Sequence, residues 1–294
     1  MPDALGAPET PLFRRVGVVA KTANPEALKS AAELDEWLAR RGLEVLLDPA
    51  ITATSGDAGR EQFHPGAPVD LVVVLGGDGT LLAVARSLQR PTPILGVNMG
   101  SLGFLTEVHR AELYPSLVRV LSGHFGIEER SLFGVELQRA ADGGSRHFRV
   151  LNDAVIAKSA LARIIEMTLR VDGDLVGHFR ADGLIVSTPT GSTAYNLSAG
   201  GPILYPRLPV AVITPICPHT LSLRPLAVPD ASLLEVVLQT QREEVFLTLD
   251  GQEGVGLEFH DRVLIRRSDA VVRLVKASGR TFYESLRGKL RWGG

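Results

Sequence analysis

The stretch Leu71-Val72-Val73-Val74-Leu75-Gly76-Gly77-Asp78-Gly79-Thr80 constrains the chain more than any other. An apolar run too short to span a membrane stops at three glycines around a single carboxylate. A helix-compatible stretch, Leu81 to Leu88, follows at once. The order is strand, tight loop, helix. Continuous rather than alternating apolar character predicts a parallel strand buried on both faces. Glycines just past such a strand let the backbone approach a ligand closely, and the N–H groups of the loop and of the first helical turn then point at an anion. A phosphate suits that pattern. Asp78 is the anomaly, because a carboxylate repels phosphate and needs a task such as holding a metal or taking a proton from a hydroxyl nucleophile. The loop is neither G-x-x-x-x-G-K-[ST] nor G-x-G-x-x-G, and the plain alternative is an Asp-Gly turn with Asp78 capping the next helix.

At 294 residues the chain has room for two domains or one large one, and 45% hydrophobic content is ordinary for a globular protein with real cores. A formal net charge of -2 with scattered Lys and Arg argues against a nucleic-acid partner and favours small molecules. The single cysteine, Cys217, cannot form an internal disulfide. Met1 to Arg15 carry no basic-then-apolar leader and no long apolar span occurs, so the expectation is a cytoplasmic protein with no membrane partner. The 7 histidines show no metal-ligand spacing, so no zinc site is expected.

Along the chain, Met1 to Thr10 reads as a loose terminus and Val16 to Ala20 as a first buried strand. Asn24-Pro25 supplies an N-cap and a first-turn proline for a helix whose apolar stripe is Ala27, Ala31, Leu34 and Leu38. Leu43 to Leu47 is a second strand, Asp48 to Pro68 a long loop, Pro93 to Val97 another strand, and Arg110 to Leu121 a helix. From about Phe125 the texture changes to strands separated by turns. Ile165, Met167, Leu169 and Val171 alternate with polar residues, and Asp172-Gly173-Asp174 makes a hairpin before Leu175-Val176. Further strands are expected at Gly134 to Gln138, Phe148 to Ala157, Gly183 to Ser187, Val210 to Thr214, Leu233 to Gln239, Val245 to Leu249, Val263 to Arg266 and Val271 to Val275. The tail, Thr281 to Trp292, reads as a helix. The fold class is therefore α/β plus all-β: a Rossmann-like N-terminal domain, residues 1–124 with 269–294, and a β-sandwich-like domain, residues 125–268, with the C-terminal helix returning to the first domain.

Three further stretches carry chemistry. The block from Arg180 to Gly201 is rich in small, hydroxyl and glycine residues, which suit hydrogen bonding around a nucleotide as well as they suit a Ser/Thr-rich loop. Asn152-Asp153 interrupts the apolar run Val150 to Ala157, where a buried amide beside a carboxylate needs partners; it is either an adenosine reader or a strand bulge. Arg163, on the apolar parity of its strand, is an edge residue snorkelling to water or a ligand for an acidic group. Asp250-Gly251-Gln252 reads as a strand-ending turn.

With these pieces in order the sequence resembles the NAD kinases. The resemblance is carried by Gly76-Gly77-Asp78-Gly79-Thr80, Gly96-Val97-Asn98 to Phe104, Leu151-Asn152-Asp153, Arg180 to Pro202, Thr214 to Pro225 and Leu249-Asp250-Gly251-Gln252. It implies phosphorylation of the adenosine ribose of NAD to give NADP, with ATP or polyphosphate as donor and a divalent metal, Mg²⁺, as cofactor. Asp78 would be the proton acceptor and Gly79 a phosphate contact. Asn152 and Asp153 would hold the adenosine portion, and Thr193, Ala194, Tyr195, Asn196, Leu197 and Ser198 would line the NAD pocket. Arg163, Arg180, Asp182 and Gln252 match positions that bind the dinucleotide. The resemblance also implies self-association as a dimer or tetramer. Two rivals stand beside it: a kinase of another alcohol built on the same glycine loop, and a non-catalytic dinucleotide sensor.

Overall fold

A computed structural model of the chain describes residues 12–55, 60–101, 103–220 and 222–292. The expected loose terminus and residues 56–59 of the expected long loop lie outside them. The chain divides into two compact units, Met1–Glu129 with Val272–Gly294, and Arg130–Val271.

In the first unit β1 (Arg15–Ala20) is followed by α1 (Pro25–Ala39), β2 (Glu44–Leu47), α2 (Pro49–Ser55), β3 (Leu71–Gly76), α3 (Asp78–Ser87), β4 (Ile94–Asn98), the short β5 (Val108–His109) and α4 (Leu113–Leu121). All six residues of β3 are buried, as a doubly covered parallel strand requires. Asn24 caps α1 by accepting from the Glu26 and Ala27 amides, and Ala27, Ala31, Leu34 and Leu38 are buried as their spacing predicts. α1 and α4 share a core with alternate residues of the sheet, Val16, Val18, Leu71, Val73, Leu75, Leu95 and Val97. β1 lies between β2 and β3, all parallel, and β4 continues beyond β3. The connection therefore reverses direction between β1 and β3, and the carboxyl ends of strands at such a switch point are where open α/β sheets bind ligands. The glycine loop leaves β3 at that edge.

The stretch Asp48 to Pro68 is not a loop throughout. Asp48 Oδ1 accepts from the Ala50 amide at 2.9 Å ahead of Pro49, which starts α2, and Gln62 bridges to Leu47 in parallel. Asp48-Pro49 repeats the cap-and-proline signal of Asn24-Pro25, and the Gly, Ser and Thr content around it masked the signal.

The second unit holds most of β6 (Gly126–Gln138), then β7 (Ser145–Val150), β8 (Asp153–Lys158), β9 (Ile165–Val171), β10 (Asp174–Ala181), β11 (Gly183–Ser187), α5 (Tyr195–Ser198), β12 (Val210–Ile216), β13 (Leu226–Pro229), β14 (Leu234–Leu238), β15 (Val245–Leu249), β16 (Glu253–Leu257) and most of β17 (Arg262–Lys276). One sheet runs β13-β12-β11-β8-β15-β16; on the other, β10-β9-β14-β17 is joined by β6 and β7. Alternate residues of both sheets, among them Leu169, Val236 and Ile265 facing Ile156, Leu184 and Leu247, form one core. This is the sandwich the alternation predicts. Three expectations change. Phe148 to Ala157 is two strands, β7 and β8, in different sheets; Val263 to Arg266 and Val271 to Val275 are one strand; β13 and β16 were not foreseen.

The end of β17 returns to the first unit, where Leu274 pairs in parallel with Ile94. α6 (Phe282–Leu290) follows, capped by a reciprocal Thr281–Glu284 box. The buried Glu107 anchors this return: its carboxylate accepts from the Ala277 amide at 3.0 Å and pairs with Lys276 Nζ. Replacing Lys276 by Met should leave that carboxylate without its cation. Because the Lys276 side chain is 31% exposed, the expected loss is about 2 kcal/mol, below the range for a fully buried pair. Urea denaturation checks it, and an unchanged midpoint would make the pair energetically idle.

Candidate active site

Asp78 is the first residue of α3, and the cap position before it is Gly77, which makes no side-chain cap; the capping role offered as the plain alternative is not the one Asp78 plays. Its side chain reaches instead to the segment that follows β4. Oδ2 accepts from the Phe104 amide at 2.7 Å. Oδ1 accepts from the Leu105 amide at 3.2 Å, the Thr106 amide at 3.0 Å and the Thr106 hydroxyl at 2.9 Å. The approach needs glycine at 103, because a Cβ there would overlap Oδ1. Thr106 Oγ1 also meets Asn98 Nδ2 at 2.8 Å, and both side chains are buried. Asp78 itself is half-buried and Gly79 beside it is exposed, so the carboxylate stays within reach of a ligand. Among the described residues no group of three His, Cys, Asp or Glu could hold a metal ion.

In the second unit the interruption at Asn152 is built by Asp250. Its Oδ1 accepts from the Asn152 and Asp153 amides at 2.7 and 3.1 Å, and its Oδ2 from the Leu151 amide at 3.0 Å. Asp250 is buried and sits at φ 51, in the left-handed region that Asp tolerates in turns. Thr188 closes the other side, its hydroxyl donating to Leu151 C=O and its amide to Asn152 C=O. Gly191 packs so closely on Asn152 that a Cβ would overlap its carbonyl. Asn152 thus has its backbone consumed, while its half-buried amide has no hydrogen-bond partner among the described residues. Asp153 is buried, and burial, together with the charge of Asp250, pushes its carboxyl up to about 7.

Asn152, Asp153, Gln252 and the Thr188–Gly191 turn come together around Asp250. The segment Thr193 to Ser198 lies on the outward face of the same sheet, because Asn196 Oδ1 accepts from Thr214 Oγ1 at 2.6 Å and Thr214 points away from the sandwich core. Asn196 is buried and its amide also donates to Ser192 and Pro202 carbonyls, so its side chain holds the loop rather than offering a free contact. Thr193, Ala194 and Leu197 are half-buried, and Tyr195 and Ser198 exposed. Arg163 is not on β9 but in the turn before it, exposed, its amide donating to Glu243. Arg180 lies on β10, in the other sheet, paired with Glu166 at 3.1 Å. Asp182 faces Lys158 at 3.6 Å. Of the residues that shape these two places, Asn98, Thr188 and Asp250 fall within stretches that carry the resemblance but have no role of their own in it, and Thr106 falls outside them. Asn98, a polar residue ending an apolar strand, was the readable signal among them.

A carboxyl raised on folding favours the folded state while it is protonated. That contribution is complete below the ordinary value near 4, and it is lost as pH rises towards 7. An Asp153→Asn variant, which cannot ionise, should therefore gain stability relative to the parent between pH 4 and pH 8. The gain should reach a few kcal/mol at the upper end. Thermal unfolding of both proteins at the two pH values checks it, and a pH-independent difference would contradict the burial of an ionisable acid.

Comparisons with known proteins agree across the chain. Residues 16–125 match the ATP-NAD kinase N-terminal domain and residues 151–277 the ATP-NAD kinase C-terminal domain. The NAD kinase of Syntrophotalea carbinolica is 49% identical over 287 residues, 96% of this chain and 99% of that protein, and that of Geobacter sulfurreducens is 48% identical over 285 residues with the same coverage. Among solved structures, an NAD kinase from Archaeoglobus fulgidus in complex with ATP superposes with a TM-score of 0.74 at 28% identity, covering 95% of this chain and all of that one. Yeast NADH kinase complexed with NADH shares the fold, with a TM-score of 0.88 at 23% identity over 97% of this chain and 89% of that one. With both domains matched in order and near-half identity over almost its whole length, the chain belongs to the ATP-NAD kinase family.

Proposed function

We propose that this chain transfers the γ-phosphoryl group of ATP to the 2′-hydroxyl of the adenosine ribose of NAD, giving NADP and ADP. The observation that carries the reading is Asp78. It is a half-buried carboxylate at the carboxyl end of β3, fixed by four donors within a chain that belongs to the ATP-NAD kinase family. In the reaction the ribose oxygen attacks the γ-phosphorus and the bond to the β–γ bridging oxygen breaks. ADP leaves with that electron pair, and the hydroxyl proton passes to Asp78. Gly79 and neighbouring amides at the start of α3 contact phosphate. Mg²⁺ enters as part of the ATP substrate.

On the dinucleotide side, we assign the open amide of Asn152 and the carboxyl of Asp153 to the adenosine portion. Thr193, Ala194, Tyr195, Leu197 and Ser198 line the NAD pocket, Asn196 holds their loop in shape, and Gln252 and Asp182 complete the contacts. Arg163 and Arg180 stand on elements apart from the Asn152 turn, so we assign their dinucleotide contacts to an assembly, a dimer or tetramer, in which a second copy brings them to a site. A cytoplasmic location suits these substrates. No described helix is long and apolar enough to cross a membrane.

The test mixes purified protein with NAD, ATP and Mg²⁺ and detects product with a strictly NADP-dependent dehydrogenase; a parallel reaction with polyphosphate tests the donor. NADP should form. In Asp78→Asn, kcat should fall by roughly 10²–10⁴, the usual worth of a general base, while calorimetry shows NAD still binding. Near-normal kcat in the variant would remove Asp78 from the chemistry, and a parent that binds NAD without making NADP would leave the sensor reading standing.

A further inference from the structure

The two oxygens of Asp78 are not equivalent, and the backbone decides which one is available. Asn98 Oδ1 lies 2.7 Å from the Gly100 amide and Asn98 Nδ2 lies 2.8 Å from the Ser101 carbonyl. A main-chain N–H can only donate and a main-chain carbonyl can only accept, so the Asn98 amide has one possible orientation. Its second Nδ2 hydrogen then points at Thr106 Oγ1, which must accept it. The one hydroxyl hydrogen of Thr106 is thereby committed to Asp78 Oδ1. With the Leu105 and Thr106 amides, Oδ1 receives three donors, whereas Oδ2 receives only the Phe104 amide.

An ionised carboxylate offers about two lone-pair sites on each oxygen. Three donors compete for the two sites of Oδ1, the Thr106 hydroxyl at 2.9 Å being the shortest contact and the Leu105 amide at 3.2 Å the longest, while Oδ2 has a site left. We infer that Thr106, aligned by Asn98, is a positioning residue that occupies Oδ1 and so leaves Oδ2 as the atom that receives the proton of the acceptor hydroxyl. The inference rests on the phosphoryl-transfer reading above. Thr106 and Asn98 are 0% and 3% exposed, so bulk solvent does not reach the hydroxyl. Neither side chain has an exposed surface with which to bind substrate, so their effect on the reaction passes through Asp78.

The test compares Thr106→Val and Thr106→Ser with the parent in full kinetics of NADP formation and in NAD binding by calorimetry. Valine keeps the volume and deletes the hydroxyl; serine keeps the hydroxyl. Thr106→Val should lower kcat about tenfold, the scale of one hydrogen bond to a charged acceptor. KM for NAD and ATP and the Kd for NAD should stay within about twofold, and Thr106→Ser should restore most of kcat. If Val is not accommodated, Thr106→Ala, which deletes the same hydroxyl with less crowding, should show the same split. A kcat within about twofold of the parent in the Val or Ala variant, or a Ser variant as slow as Val, overturns the inference while NADP formation by the parent leaves the kinase reading intact. Absence of NADP from the parent overturns the kinase reading, and this inference with it.

Discussion

The hydrogen bonds from Phe104, Leu105 and Thr106 to Asp78 are the constraint on which the first unit's chemistry depends. Three consecutive amides in a segment outside any strand need acceptors, because backbone donors left unpaired in a folded interior are costly. A single carboxylate at the start of α3 supplies them. The exchange works in both directions. The segment after β4 acquires a fixed path, and the carboxylate acquires a fixed orientation at the carboxyl edge of the sheet. Gly103 is the steric condition for both.

The same segment is held at its far end by a second carboxylate facing the other way. Glu107 accepts from Ala277 and Ser278 amides and pairs with Lys276, so the residues just after the Asp78 contacts are tied to the end of β17. The position of Asp78 is therefore not a property of its own loop. It is set through residues 104–107 by the return of the chain's last strand, which explains why a C-terminal segment belongs to the unit that carries the glycine loop. A local motif of five residues is made precise by contacts from 26 and nearly 200 positions away.

Period and punctuation carried much of the fold in the sequence. β3, β11 and β15 and the cap of α1 are legible because burial on both faces, regular alternation and Asn-Pro each leave a local mark. What was hidden was set by distant partners. Phe148 to Ala157 reads as one strand, with Asn152-Asp153 an interruption inside it, until Asp250, 99 residues from Leu151, is seen to accept the amides at the break between β7 and β8. β17 looks like two strands because the polar residues Arg266, Arg267, Ser268 and Asp269 interrupt its apolar character without interrupting its extended backbone. In the site, Asp78 and Asn152-Asp153 stood out as polar groups where apolar ones were due. Thr106 did not, since a threonine after a glycine turn is unremarkable until its hydroxyl is found between Asn98 and a carboxylate.

Asp78 and Asp250 are, in sequence, the same object: an Asp-Gly pair at the end of an apolar strand. They also do the same structural work, each accepting three consecutive backbone amides from a distant segment. Hydrogen-bond count does not separate a structural carboxylate from the one we propose as proton acceptor. Access and neighbourhood do. Asp250 is 7% exposed, and its nearest acid, Asp153, is driven towards its neutral form by burial and by Asp250's own charge, an arrangement that shapes a turn and presents the amide of Asn152. Asp78 is half-buried beside an exposed glycine, carries one oxygen contested by three donors and leaves the other with capacity for a proton. The distinction between the two aspartates therefore lies in what surrounds them in space. Asp-Gly after a strand marks a place where a carboxylate can gather amides, and only the open side of the cage decides whether that carboxylate can also act on a substrate.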